Sequence, residues 1–395
     1  MPRFEPFRGL RYDTSSGLDI TSRTSPPYDV FGPEERTRYA SAHPANIVHV
    51  DYPVESTGDG RYDASARIMR EWVRSGVVVR ENAPAFYIYR MNFSDETGRQ
   101  RTTCGVVGGL EVVDQGSPEV LPHEQTTPKD KTDRLDLTRA THTNLSPVWG
   151  LSLTPGLTHL LAEPGNVVAT CVDDEGVTHT LEAVTDPGRI DQIRAAVATN
   201  PVLIADGHHR YAISRSYRDE QRVHSGESGA ELTMTYVQEL VEDQLSVAAI
   251  HRVYDVAADT LLAGIATSYT TEPAGAVGAT TLGEMANRGC LCLVDSHGVG
   301  TYLYERAESF DGVRAIDSVR LETALDGTEI EVRYQHGVDH VLERLRTGDA
   351  KSAILIRPVS IEEIRRTADT GELMPPKSTF FTPKLRTGMV MRPLD

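Results

Sequence analysis

The stretch from 186 to 221 constrains the fold more than any other part of this sequence. "DPGRIDQIRAAVAT" (186–199) has helical spacing, "PVLIA" (201–205) is an apolar run of strand length, and "GHHRYAISRSYRDEQ" (207–221) returns to helical spacing. Helix, strand, turn and helix in that order favour layered packing of helices on a sheet. The turn after the strand is "DGHHR": a carboxylate, two imidazoles and a guanidinium around Gly207. Four consecutive proton-handling or anion-binding groups at a strand end suggest a site.

The same interleaving runs along the chain. "ASARIMREWVRSGVVV" (64–79) predicts a helix ending at Gly76 and then a strand, and "HPANIVHVDYP" (43–53) reads as a strand bounded by Pro. "AFYIYRMNF" (85–93) and "TTCGVVGGLEVV" (102–113) predict a strand pair, and "VVATCVDDEGVTHTLEAV" (167–184) a hairpin turning at Asp174–Gly176. "ELTMTYVQEL" (231–240), "LSVAAIHRVYDV" (245–256) and "SAILIRP" (352–358) read as strands, and "GCLCLVDSHGVGTYLYE" (289–305) as a strand hairpin. "ADTLLAGIATSY", "GVDHVLERLRTG" and "SIEEIRRTADTGELM" are expected helices, the last capped by Ser360. The expectation is an α+β (mixed α/β) fold with mixed sheets, divided as 1–120, 121–256 and 257–395. The last part would carry a tail folding back towards the site.

Composition narrows the functional classes. A net charge of -17 argues against a general nucleic-acid binder, because phosphate contacts need basic surface. No apolar run approaches the roughly 18–20 residues that span a bilayer, and "MPRFEPFRGL" lacks the apolar core of a signal peptide. No membrane partner and a cytoplasmic location are therefore expected. Four cysteines (104, 171, 290, 292) form no CxxC pair and read as buried thiols; in a strand Cys290 and Cys292 would share one face. Only five of the 40 basic residues are Lys, and four of these lie in "TPKDKTDR" and "PPKSTFFTPKLR". Those positions suggest a need for a compact ammonium that Arg does not replace; chance clustering is the rival.

A helix starting near Gly207 aims backbone N–H groups and its positive dipole end at whatever lies above the strand. Arg210 can clamp phosphate oxygens, His208 or His209 can donate or move a proton, and Asp206 can hold a metal or accept a proton. These parts suit a phosphorylated ligand; a plain helix cap with solvated histidines is the bland alternative. In "PHEQTTPKDKTDR", His123 and Glu124 supply a base and a carboxylate, while Lys129, Lys131 and Arg134 supply positive charge. It is no HExxH zinc motif, since position 127 is Thr. Lys377, Ser378 and Lys384 lie beside Phe380 and Phe381, which would stack on a base or fill a core. Tyr28 and Asp29 sit on the rigid "SPPYDV" segment.

"SPPYDV", "HPANIVHV", "LPHEQT…KTDR", "NLSPVWGL", "DGHHRY", "AAIHR" and "MPPKSTFFTPKL", in this order, closely resemble the DUF1015 family of unknown function. "DGHHR" also resembles the motif of the ParB/sulfiredoxin superfamily, which includes nucleotide-dependent free-serine kinases, a CTP-hydrolysing partition protein and a reductase. That resemblance implies a ParB/sulfiredoxin-like core with a nucleotide phosphate held at Gly207, His208, His209 and Arg210. It implies an ADP- or ATP-dependent kinase, with Mg²⁺, acting on a small hydroxylated metabolite such as serine. Glu124 or Asp29 would be the base, with His123 and Asp206 near the chemistry. Lys131, Arg134, Lys377, Ser378 and Lys384 would hold or neutralise phosphate. His208 and His209 stand where sulfiredoxin has its cysteine, which argues against a reductase. A phosphatase of a small phosphorylated metabolite and a non-catalytic nucleotide-binding regulator stay open. Nucleotide and small molecule are the expected partners, with a homodimer as the candidate assembly.

Overall fold

The computed structural model describes residues 1–54, 60–95, 98–124 and 132–395. The chain forms two compact units. One comprises Met1–Phe93, Arg101–Gln244 and Pro383–Asp395; the other comprises Ser94–Gln100 and Leu245–Thr382. This division departs from three consecutive segments. The expected break at 120 falls inside one sheet, because Val120–Pro122 pairs in parallel with Val202–Asp206.

The first unit is built on a nine-stranded mixed sheet. Its path runs Val120–Pro122, Val202–Asp206, Val148–Ser152, Leu232–Glu239, Gln100–Glu111, Phe86–Ser94, Thr178–Val184 and Asn166–Val172, with Phe4–Glu5 pairing off Gln100–Glu111. Its core packs Phe4, Phe86, Ile88, Val106 and Val202 with Leu157, Ile193 and Val197 from two helices. Local signals hold here. Asp186 caps Pro187–Ala198 by accepting from the Arg189 N–H at 2.8 Å, and left-handed Gly76 (φ 77°) ends Arg61–Ser75. The hairpin about Asp174–Gly176 forms with the expected antiparallel pairing.

One expectation is corrected. "HPANIVHVDYP" is not a strand: Val48–Asp51 is a short helix. Buried Asn46 accepts from the Val48 N–H at 2.9 Å and donates to the carbonyls of Ser22 and Thr24. A side chain that hydrogen-bonds the backbone two residues on favours a turn over the β preference of the apolar run.

The second unit carries an antiparallel six-stranded sheet, ordered Tyr269–Ala276, Val299–Glu305, Leu291–Asp295, Ser352–Leu355, Ile250–Tyr254 and Arg333–His336. Helices cover both faces, so alternate residues of "CLCLV" are all apolar. Leu291 and Leu293 pack with Leu261, Ile265 and Leu321, while Cys290, Cys292 and Val294 pack with Met285, Val341 and Leu345. The two thiols do share a face, and all four cysteines are buried and free. "LSVAAIHRVYDV" makes two strands rather than one: Val247–Ala248 pairs with Phe380–Phe381, and only Ile250–Tyr254 joins the large sheet.

Among the described residues no helix is long and apolar enough to cross a membrane.

Candidate functional site

The DGHHR turn forms as the sequence predicts, at the carboxyl end of Val202–Asp206 and the start of the helix His208–Ser225. The pairing of that strand with Val148–Ser152 shifts register between Ile204 and Asp206, and such an irregularity re-aims the residue at the strand end. Gly207 then adopts φ +84°, and a Cβ there would lie 3.0 Å from both Cζ and Nε of Arg210. The position therefore needs glycine for its backbone and for the guanidinium folded over it. The helical ladder begins with the Tyr211 N–H donating to the Gly207 carbonyl at 2.9 Å, so the amides preceding Tyr211 lie outside that ladder.

Asp206 is gripped on both oxygens. Arg210 Nη2 donates to Oδ2 at 2.7 Å, and Lys384 Nζ lies 3.4 Å from Oδ1. Burial opposes ionisation of Asp206, but Lys384 and Arg210 outweigh it and hold the carboxyl below its ordinary value. A carboxylate so stabilised is a weak proton acceptor. Arg210 also donates through Nη1 to the Pro147 carbonyl. Burial works against its charge, yet Asp206, Asp29, Tyr28 and Asp51 raise its pKa. Two of its five N–H groups are thus committed within the protein, so a phosphate would meet only those that remain.

The two imidazoles next to the turn are neutral. His123 is 1% exposed and its Nδ1 lies 2.6 Å from the Ile204 carbonyl, so Nδ1 carries the proton and donates. Burial, then His208, pushes the His123 pKa down to about 3, and burial pushes His208 down to about 4. Their rings lie 5.0 Å apart, and His208 Nε2 is buried with no partner among the described residues. Glu124 Oε2 lies 3.6 Å from His123 Nε2, and His209 is half-buried on the next helical position. Because His123 is neutral, its contact with Glu124 is no ion pair.

Arg210 also lines a shallow depression with Tyr28, Asp51, Arg134, Asn144 and Ser214. Of the turn's residues, Arg210 is the one that lines this depression. Arg134 stacks on the Tyr28 ring at 3.6 Å, donates to Asp51 Oδ1 at 3.2 Å and contacts Asp133 at 3.0 Å. Tyr28 is pushed up to about 12 by burial, with Asp29 adding to the shift. Asp51 is 2% exposed, and burial raises its carboxyl against the pull of Arg134 and Arg210. Its Oδ2 has no partner among the described residues, an arrangement that costs roughly 1–3 kcal/mol where nothing relieves it.

The structure thus brings together Asp206, Gly207, His208, Arg210, His123, Glu124 and Lys384, with Arg134 in the adjoining depression. Asp29 is exposed and does not line that depression. Lys129 and Lys131 lie outside the described residues. Lys377 and Ser378 belong to the second unit, where the Lys377 carbonyl accepts from Arg252 at 3.3 Å and the Ser378 hydroxyl donates to the Pro375 carbonyl at 2.8 Å. Phe381 is buried, and Phe380 stacks on His336 at 4.4 Å. Sequence reasoning missed Asp51, although it lies in a quoted motif, because its neighbours carried a strand pattern.

Comparison with known proteins adds the following. A family model described as a protein of unknown function (DUF1015) matches residues 4–324. No curated protein matches the chain. Among solved structures, a conserved hypothetical protein from Pyrococcus furiosus is similar at TM-score 0.36 and 14% identity, over 67% of this chain and 87% of that one. A free serine kinase in complex with AMP is similar at TM-score 0.35 and 15% identity, over 67% and 84%. SbnI with a C-terminal truncation, from Staphylococcus aureus, is similar at TM-score 0.37 and 14% identity, over 71% and 85%.

Proposed function

The chain belongs to the DUF1015 family, and from that premise we propose that it is a nucleotide-dependent phosphotransferase, a kinase using ADP or ATP with Mg²⁺ to phosphorylate a small hydroxylated metabolite such as free serine. The sheet of the first unit would then be a ParB/sulfiredoxin-like core. One observation carries the reading: left-handed Gly207 opens a helix start flanked by Arg210 and Lys384, both held in place by Asp206. Amide donors, a helix dipole and two fixed cations suit a phosphate chain.

In this reading Gly207, His208, His209 and Arg210 hold the phosphates, and Lys384 offsets charge on the transferred group. Asp206 orients the two cations. His123 and Glu124 flank the turn as proton-handling groups, and Lys131 would add a further cation. Among the described residues there is no group of three or more His, Cys, Asp or Glu side chains able to hold a metal. Mg²⁺ would therefore enter on the nucleotide phosphates, as it does where a protein supplies no cage of its own.

The test is calorimetric titration of the protein with ADP and ATP, followed by incubation with serine and each nucleotide. Nucleotide binding that weakens about tenfold or more in Lys384→Met, with phosphoserine formed, is the expected result. No nucleotide binding overturns the proposal. Phosphate release from phosphoserine without nucleotide identifies a phosphatase instead, and tight binding without product identifies a regulatory module.

A further inference from the structure

The depression beside Arg210 is lined by a buried carboxylate, Asp51, one of whose oxygens its surroundings do not complete. Asp51 closes the short helix Val48–Asp51, and Arg134 fixes it by donating to its main-chain carbonyl at 2.5 Å and to Oδ1 at 3.2 Å. Stacking of the Arg134 guanidinium on Tyr28 at 3.6 Å fixes the donor in turn. Only Oδ2 is left, buried and unpartnered among the described residues, on a carboxylate that lines the depression together with Arg210. A proton donor on a bound molecule is what such an oxygen lacks.

We infer that Asp51 is the catalytic base, its Oδ2 accepting the proton of the acceptor's hydroxyl group. The inference rests on the phosphotransferase reading and replaces Glu124 and Asp29 in that role. Asp29 is exposed, and Glu124 sits against His123; neither lines the depression. In the step, the acceptor oxygen bonds to the terminal phosphorus of the nucleotide. The bond from that phosphorus to the bridging oxygen breaks, its electron pair leaves with the shortened nucleotide, and the hydroxyl proton passes to Oδ2. Arg134 acts as a positioning residue that occupies Oδ1 and leaves Oδ2 as the oxygen without a partner among the described residues. Burial favours the protonated carboxyl while Arg134 opposes it, so the group is a stronger base than an exposed aspartate.

The experiment compares wild type and Asp51→Asn, as full-length proteins, with L-serine and radiolabelled ATP or ADP as probes. The expected result is a kcat lower by about 10²–10⁴-fold with nucleotide KM unchanged and the melting curve retained. The acid limb of the wild-type kcat/KM profile should also vanish. A kcat within about threefold of wild type, or an effect confined to the acceptor KM, overturns the assignment and leaves the phosphotransferase reading standing. Wild-type protein that transfers no phosphate removes both. Should Asp51→Asn fail to fold, Arg134→Lys keeps the carboxylate but weakens the guanidinium that lowers its proton affinity. The acid limb should then move to higher pH, and an unmoved limb overturns the inference.

Discussion

Gly207→Ala is the sharpest probe of the turn, because two independent costs meet there. An L-residue at φ +84° costs roughly 1–2 kcal/mol. The added methyl would also lie 3.0 Å from Cζ and Nε of Arg210, so the guanidinium must shift. That guanidinium bridges Asp206 and the Pro147 carbonyl, and weakening such charge-assisted bonds adds up to about 1.5–3 kcal/mol if it cannot re-form them. A loss of about 1–5 kcal/mol is expected, the upper end if the guanidinium cannot re-form its bonds, read as a fall in urea stability. Gly283→Ala supplies the opposite sign. Gly283 lies inside the helix Thr281–Arg288, and an added Cβ meets nothing within 4 Å, so the substitution should gain about 0.5–1 kcal/mol. If both substitutions shift stability the same way, or Gly207→Ala leaves it unchanged, the account of the turn is wrong.

Three further outcomes are expected. His208 has a folded pKa of about 4 against an unfolded value near 6.5, so the unfolded chain takes up its proton first as pH falls. Stability should decline from about pH 6.5 towards 4, and His208→Phe should flatten that slope by on the order of 2 kcal/mol in urea titrations at several pH values. Asp206 has the opposite sign: its lowered pKa stabilises the fold above the unfolded value near 3.9, and that stabilisation is lost as pH falls through the folded pKa. The stability gap between wild type and Asp206→Asn should therefore hold from pH 7 to about 4 and close below it. Ser360→Ala removes the acceptor for the Glu363 N–H at 3.3 Å and should cost about 1 kcal/mol, measured by urea unfolding.

Features whose cause lies within a few residues were legible in the sequence. Gly76 ends a helix, Asp186 and Ser360 start helices, and the DGHHR turn joins a strand to a helix, because capping and backbone conformation act locally. Val48–Asp51 escaped because buried Asn46, which turns the chain before it, also grips the carbonyls of Ser22 and Thr24, and that grip is not visible from composition. Tyr269–Ala276 escaped for another reason. It is an exposed edge strand containing Pro273 and a register shift, features that protect an edge and also erase the alternating pattern. In the site, residue types were readable but pairings were not. Nothing near Asp206 announces Lys384, and nothing near Asp29 says that Tyr28 turns inward while the carboxylate stays out.

The ion pair between Asp206 and Lys384 joins positions 178 residues apart. A ribosome adding roughly 5–20 residues per second completes the intervening stretch in about 10–35 seconds. During that interval a nascent chain presents its acidic turn without the ammonium that later steadies it, and Arg210 is the cation at hand. The wait is dictated by gene order alone. Moving residues 383–395 to an earlier point by circular permutation would shorten it while leaving the Asp206–Lys384 pair itself intact.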